Sequence, residues 1–225
     1  MLGLTEEAFV AVIAVIQQKG GVGKSTITAN VAGELVKKGR AVKILDLDPQ
    51  QSLVIWAQLG SGLLRDIVEP VSIEDPKEFK ATLDRVKKEA DRIFLDCPPG
   101  LPDIGLVAAL VSDVALLPVT PSPLDVIASK KVLDLLREAQ AQRRDKKPVI
   151  AFVTSRVIQT TVLGRDLGMS LKPLGETILP GISQRIAIAE AVLQGLTLRE
   201  YAPNSDGVDE FHQLANAIER IVRQL

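Results

Sequence analysis

The residues with the clearest chemistry are Lys19-Gly20-Gly21-Val22-Gly23-Lys24-Ser25-Thr26, which follow the apolar run at 10–16. A strand that ends in a glycine-rich turn and then enters a helix can hold a nucleotide triphosphate. The glycines let successive backbone N–H groups point at the β-phosphate, and the helix N-terminus adds its partial positive charge. In such a loop Lys24 reaches the β- and γ-phosphates and the Ser25 hydroxyl ligates Mg²⁺. The common pattern is G-x-x-x-x-G-K-[ST]; here Gln18 stands at its first glycine, and an extra lysine, Lys19, precedes the glycines. A second lysine beside Lys24 in one molecule adds repulsion for little gain at the phosphates. Lys19 makes sense if it crosses to a neighbouring subunit and neutralises charge there, as an arginine finger does in trans.

Two acidic blocks follow in order, Asp46-Leu47-Asp48-Pro49-Gln50 and Asp96-Cys97-Pro98-Pro99-Gly100, each after an apolar run. Phosphoryl transfer to water depends on charge neutralisation and positioning more than on covalent help. Mg²⁺ takes oxygen ligands and keeps several waters, so Ser25 is the expected direct protein ligand, with Asp46 and Asp96 holding metal-bound waters. Asp48 lies two residues beyond Asp46, so on an extended backbone both carboxylates point to the same side. Cys97 has nothing basic beside it in sequence and reads as a small buried filler. His212, the only histidine, has polar neighbours and reads as a surface residue.

These residues need a frame. Apolar runs predict strands at 9–16, 41–46, 92–96, 113–119, 148–153 and 175–179, with a weaker one near 67–73. A helix is predicted over 24–38, where Ile27, Val31 and Leu35 recur at i+4 and Gly39 stops the pattern. Asp75-Pro76-Lys77-Glu78 opens another with an acidic cap and proline at its first position, and Ser122-Pro123 repeats the signal before 123–141. A last helix over about 207–224 puts Phe211, Leu214, Ala215, Ile218 and Val222 on one face. Such alternation implies an α/β, doubly wound and mainly parallel sheet with helices on both faces. All three motif blocks then fall at the carboxyl ends of strands, where open parallel sheets bind ligands.

Composition agrees. The 225 residues are 46% hydrophobic but only 3% aromatic, so the core rests on Val, Ile, Leu and Ala, as suits strands buried on both faces. One cysteine excludes a disulfide framework, a cysteine-based zinc site and a self-contained iron–sulfur cluster. Glu6 and Glu7 do not fit a signal peptide, and no apolar run approaches the ~20 residues of a membrane span. The chain is expected to be cytoplasmic, a single domain over 1–225. Net charge is −1, split as −4 over residues 1–129 and +3 over 130–225, which permits a basic face on the C-terminal half.

The three ordered blocks resemble the ParA/MinD family of dimeric P-loop ATPases. The first matches its deviant Walker A motif K-G-G-x-G-K-[ST], the second its first switch D-x-D-P-Q, and the third its Walker B strand and second switch. The resemblance implies ATP and Mg²⁺ as cofactors and a face-to-face dimer holding two ATP molecules, with Lys19 acting across it. It also implies that Asp48 orients or activates the attacking water. The stretch Pro118–Pro123 is read as interface scaffold without chemistry. Within the family, reductases need more cysteines, and metal insertion would favour extra Cys or His. Membrane-binding members carry a basic amphipathic tail, whereas the apolar face of 218–223 reads as core. About eight residues before the first strand leave no room for the N-terminal DNA-binding domain of longer partition ATPases.

What remains resembles a short partition ATPase, and Pro121-Ser122-Pro123-Leu124-Asp125 is similar to that branch. That implies an ATP-dependent homodimer, nucleoid-associated, that binds DNA without sequence preference. A cargo-bound adaptor would stimulate hydrolysis, so that plasmid, chromosome or other cargo is segregated or positioned. Candidate phosphate contacts are Arg185, Arg199, Arg220 and Arg223, with Lys172 as a weaker fifth. The alternative is a MinD-like membrane-surface ATPase regulating division-site placement. A metabolic ligase on the same fold would need further substrate-binding polar clusters, and the sequence shows none.

Overall fold

The computed structural model describes residues 9–225; the Glu6–Glu7 stretch lies outside them. Strands β1 (Ala11–Val15), β2 (Val42–Asp46), β3 (Val68–Pro70), β4 (Arg92–Asp96), β5 (Val114–Val119), β6 (Val149–Thr154) and β7 (Thr177–Leu179) form one sheet in the order β3-β2-β4-β1-β5-β6-β7. Every paired neighbour is parallel, as the continuous aliphatic runs require. The last strand starts later than the run at 175–179 because Gly175, at φ 87°, closes a short 3₁₀ turn over Lys172–Leu174.

The helices are α1 (Lys24–Lys37), α2 (Ser52–Gln58), α3 (Leu64–Ile67), α4 (Pro76–Val86), α5 (Pro102–Val111), α6 (Pro123–Gln142), α7 (Val162–Leu171), α8 (Ile186–Leu193), α9 (Leu198–Tyr201) and α10 (Asp206–Val222). They cover both faces of the sheet. Alternate residues of β1 feed the two sides: Ala11, Ile13 and Val15 join a core with α1 and α10, and Val12 and Ala14 join one with α4, α5 and α6. The apolar face of α10 (Phe211, Leu214, Ala215, Ile218, Val222) is buried in the first core, as its periodicity predicted. Among the described residues no helix is long and apolar enough to cross a membrane.

One start signal works as read and the other does not. The Asp75 carboxylate accepts from the N–H groups of Lys77 (2.8 Å) and Glu78 (3.3 Å) at the start of α4. Ser122 makes no side-chain cap to α6; only its carbonyl accepts, from Asp125 and Val126. Proline at the first helical position therefore suffices to start α6.

At the carboxyl edge the register aligns Val15 with Asp96 and Asp46 with Asp96, so the three motif loops leave the sheet at one level. Backbone bonds lace them together: Cys97 N–H to Val15 O (3.2 Å), Leu47 N–H to Asp96 O (3.0 Å) and Gly100 N–H to Gln18 O (2.8 Å). The strand order reverses at β1, between β4 and β5, which is where such sheets open a ligand crevice.

Candidate nucleotide-binding site

The loop from Lys19 to Gly23 joins β1 to α1 at that reversal. Gly21 (φ 74°) and Gly23 (φ 91°) hold left-handed conformations that side chains rarely adopt. Gly23 is the N-cap of α1 and supplies no side-chain cap, so the first N–H groups of a 14-residue helix remain for an anion. The loop and helix start line a cavity of about 1040 Å³, which is also lined by Asp48, Gln50, Pro99 and the segments around Arg156 and Arg185.

Lys24 is buried, and its ammonium lies 3.4 Å from the Lys19 carbonyl. Burial lowers its pKa, and the nearby charges of Asp96 and Asp48 work in the opposite direction. Asp96 is buried with both oxygens engaged. Oδ2 accepts from Ser25 Oγ (2.7 Å) and Oδ1 from Thr28 Oγ1 (2.9 Å). Burial pushes Asp96 up to about 7, with the Asp46 charge adding to the rise and the two hydroxyls and Lys24 opposing it. Thr28, one turn beyond Lys24, was not singled out from the sequence; its i+4 spacing on the helix face toward β4 was the available signal.

The paired reading of Asp46 and Asp48 needs correction. β2 ends at Asp46, so Asp48 lies in the following loop and not on an extended strand. Asp48 lines the cavity and accepts from Gln50 N–H (2.9 Å). Asp46 is buried and turned onto backbone donors: Asp48 N–H (3.1 Å) at Oδ1, and Leu53 and Val54 N–H (3.0 and 3.2 Å) at Oδ2. It thereby caps α2 from a neighbouring strand end. Its Oδ1 keeps one accepting direction. Cys97 is buried, and burial raises its thiol pKa, as expected of an inert filler.

Lys19 does not line the main cavity. It faces a second one of about 470 Å³ on the other side of the loop, where its ammonium pairs with Asp125. Asp125 is only 2% exposed and also accepts from Thr120 Oγ1. The Pro118–Pro123 stretch, read above as scaffold without chemistry, thus brings Thr120 and the adjoining Asp125 onto the signature lysine. Gln17 secures the loop's base from the same side, donating to Pro118 O (3.2 Å) and Ser129 Oγ (3.1 Å).

The five candidate DNA contacts divide. Arg199 is committed to the buried Glu34 on α1 through Nε (2.5 Å) and Nη2 (2.8 Å), and His212 adds a bond to Glu34 (3.1 Å), more than the plain surface residue expected of it. Arg185 lines the nucleotide cavity and pairs with Glu210 (2.7 Å) and Asp206 (3.6 Å). Both charges are offset inside the chain. Lys172, Arg220 and Arg223 are exposed and form no ion pair among the described residues.

The site suits a Mg²⁺–nucleotide. Among the described residues no group of three or more His, Cys, Asp or Glu side chains is gathered for a metal; a Mg²⁺ held here would take Ser25, phosphate oxygens and water, its usual preference. Lys24 and the α1 N-terminus would supply the complementary charge for the phosphates.

Residues 13–198 match the family described as CobQ/CobB/MinD/ParA nucleotide binding domain. The carboxysome distribution maintenance protein A of Halothiobacillus neapolitanus is 30% identical, over 92% of this chain and 95% of that protein. The chromosome-partitioning ATPase Soj of Thermus thermophilus is 25% identical, over 92% and 94% respectively. In fold, the septum site-determining protein MinD from Pyrococcus horikoshii, solved with Mg-ADP, superposes with a TM-score of 0.75 at 23% identity, over 95% of this chain and 97% of that one. The chain therefore belongs to the CobQ/CobB/MinD/ParA nucleotide-binding family and is a P-loop ATPase of the ParA/MinD type, with ATP and Mg²⁺ as its cofactors.

Proposed function

We propose that this ATPase works as an ATP-bound dimer that holds DNA without sequence preference and positions a cargo, with hydrolysis stimulated by a cargo-bound adaptor. The observation that carries the dimer is the place of Lys19. A lysine serving its own nucleotide would line the cavity that Lys24 lines. Lys19 instead lines the second cavity on the far side of the loop, half-exposed and held by Asp125, a pairing it would exchange for the partner's nucleotide. In this reading Lys24 and the amides of Gly20 to Thr26 hold the phosphates, and Ser25 ligates Mg²⁺. Asp96 and Asp46 steady its waters, Asp48 orients the attacking water, and Lys19 neutralises charge on the partner's nucleotide. The named relatives include a carboxysome-distribution protein and a chromosome-partitioning ATPase, and this chain is assigned the same class of work.

The DNA face is narrowed by the commitments of Arg185 and Arg199. Lys38, at the end of α1, contacts Asn216 on α10, and Arg220 and Arg223 follow Asn216 at i+4 and i+7, hence on the same face. Burial is the first cause of the lowered Lys38 pKa; the charges of Glu34 and Glu219 oppose it, and those of Arg199 and Arg223 add to it. Lys38, Arg220 and Arg223 thus make the phosphate-binding set, with Lys172 apart from them. The membrane reading is disfavoured because the apolar face of α10 is already packed in the core.

The test is sedimentation with a non-hydrolysable ATP analogue, followed by co-sedimentation with plain DNA or with anionic liposomes. The wild type is expected to dimerise with the analogue and not with ADP, and to pellet with DNA alone. Lys19→Ala is expected to stay monomeric. A Lys19→Ala protein that dimerises and hydrolyses normally would remove the trans role, and pelleting with liposomes only would favour the division-site alternative.

A further inference from the structure

We infer that Arg156 is a positioning residue for the phosphate loop, holding its Gly21–Val22 peptide ready for nucleotide. Two arginines line the nucleotide cavity, and they differ in one respect. Arg185 is neutralised by Glu210 and Asp206, whereas Arg156 forms no ion pair among the described residues, and its hydrogen bond goes from Nη1 to Gly21 O at 2.8 Å. It also lines the second cavity, so its guanidinium spans the wall between the nucleotide side and the Lys19 side.

Its backbone is unusual. Arg156 sits at φ 54°, one of three non-glycine residues with positive φ among those described, a conformation that persists only where surroundings impose it. They do so here on both sides. Ser155 N–H donates to Val119 O (2.8 Å) and Val157 N–H to Ile182 O (3.0 Å), while Ile182 and Gln184 N–H donate back to Thr154 O (2.7 Å) and Val157 O (2.9 Å). The buried Ser155 hydroxyl also lies close against Gly23, only 2.7 Å from where a Cβ would stand. The segment after β6 is therefore a rigid mount that meets the loop at two points.

Gly21, in contrast, has no packing support: a Cβ built on it would meet nothing within 4 Å. A glycine at φ 74° in open space is free to change conformation, and the Arg156 bond is what restrains it. Because the peptide is planar and trans, fixing the Gly21 carbonyl also fixes the Val22 N–H in the opposite direction. Val22 N–H belongs to the Gly20-to-Thr26 amides that the proposed function assigns to the phosphates, so this inference rests on that reading. Arg156 thereby lowers the ordering cost that nucleotide binding would otherwise meet.

The test uses the full chain with Arg156→Ala and Arg156→Lys, measuring affinity for fluorescent ADP and ATP analogues, basal kcat and KM for ATP, and nucleotide-free melting temperature. Arg156→Ala is expected to weaken both analogues and raise KM about ten-fold, the scale of one lost charge-assisted bond, with kcat within about two-fold. Arg156→Lys keeps a cation that can donate to Gly21 O and should recover affinity to within about three-fold. Unchanged affinity in Arg156→Ala would overturn the assignment. So would a fall in kcat at constant KM, or a loss that Arg156→Lys leaves uncorrected together with a lower melting temperature. None of these readings depends on DNA, so their failure is separate from that of the proposed cargo function.

Discussion

The three aspartates of the motifs have one side-chain chemistry and three environments, and their expected behaviour follows from those. Asp48 lines the cavity in contact with one backbone donor, so Asp48→Ala should leave nucleotide affinity within about three-fold while lowering adaptor-stimulated turnover by about 10²-fold or more. Unchanged hydrolysis in that variant would remove Asp48 from its role. Lys24→Ala removes the buried cation beside the loop and should abolish binding. Asp96 differs because burial holds it near 7. A carboxylate raised above its ordinary value favours the folded, ligand-free chain when protonated, and that contribution fades as pH rises from about 4 through about 7. In its proposed role Asp96 would hold the waters of Mg²⁺ in its ionised form, so Mg-nucleotide binding would expel the proton. Affinity for Mg-ADP should therefore rise about ten-fold between pH 6 and pH 8 and then level off. Calorimetry at pH 6 in buffers of different ionisation heat should show release of up to one proton, and no buffer dependence would sink this reading of Asp96.

Elements explain what the sequence could and could not disclose. The strands were legible because parallel strands buried on both faces must be continuous aliphatic runs, and Ile93-Phe94-Leu95 or Val149–Thr154 have no other use. The long helices α1, α6 and α10 were legible from period and stop signals. The short ones, α2, α3 and α9, are too brief for a period to show and are held by tertiary bonds instead. For α2 that bond is the Asp46 carboxylate, which stands at the end of β2, outside the position next to the helix where a cap is read from sequence. The same holds at the site: Lys24, Ser25 and Asp96 are announced by local spacing, whereas Asp125 on Lys19, Thr28 on Asp96 and Arg156 on Gly21 are meetings of distant segments. Removing such a tertiary cap has a calculable cost. Asp46→Ala leaves the buried N–H groups of Leu53 and Val54 unpaired, at about 1–3 kcal/mol each before water relieves them. A loss of about 2–4 kcal/mol should lower the melting temperature by about 5–12 °C. Asp46→Asn, which retains one accepting oxygen, should lose about half of that, and a melting point unchanged in Asp46→Ala would show that α2 does not depend on this cap.

At the scale of the whole molecule, a net charge of −1 gives no general attraction to DNA, so any binding must come from local concentration of charge and from its duplication in a dimer. Lys38, Arg220 and Arg223 share one face at the α1–α10 corner, about 20 Å along α1 from the nucleotide at 1.5 Å per residue. The proposed ATP-bound dimer would present that face twice. Each phosphate neutralised contributes about −0.9 to the slope of log affinity against log salt, so three cations per subunit set a slope near −5 for the dimer. Arg223→Ala should reduce the slope by about two units, equally on unrelated DNA sequences, because a phosphate contact carries no base information. Arg199→Ala is the informative contrast. Its guanidinium holds the buried Glu34 and is only 30% exposed, so its loss should lower the melting temperature by about 4–8 °C and leave the salt slope of the folded protein nearly unchanged. Filter binding across a salt series, with melting curves of the same variants, separates the two. A slope that falls in Arg199→Ala and not in Arg223→Ala would move the DNA face away from α10. Loss confined to one DNA sequence would mean base readout, for which this surface has no provision.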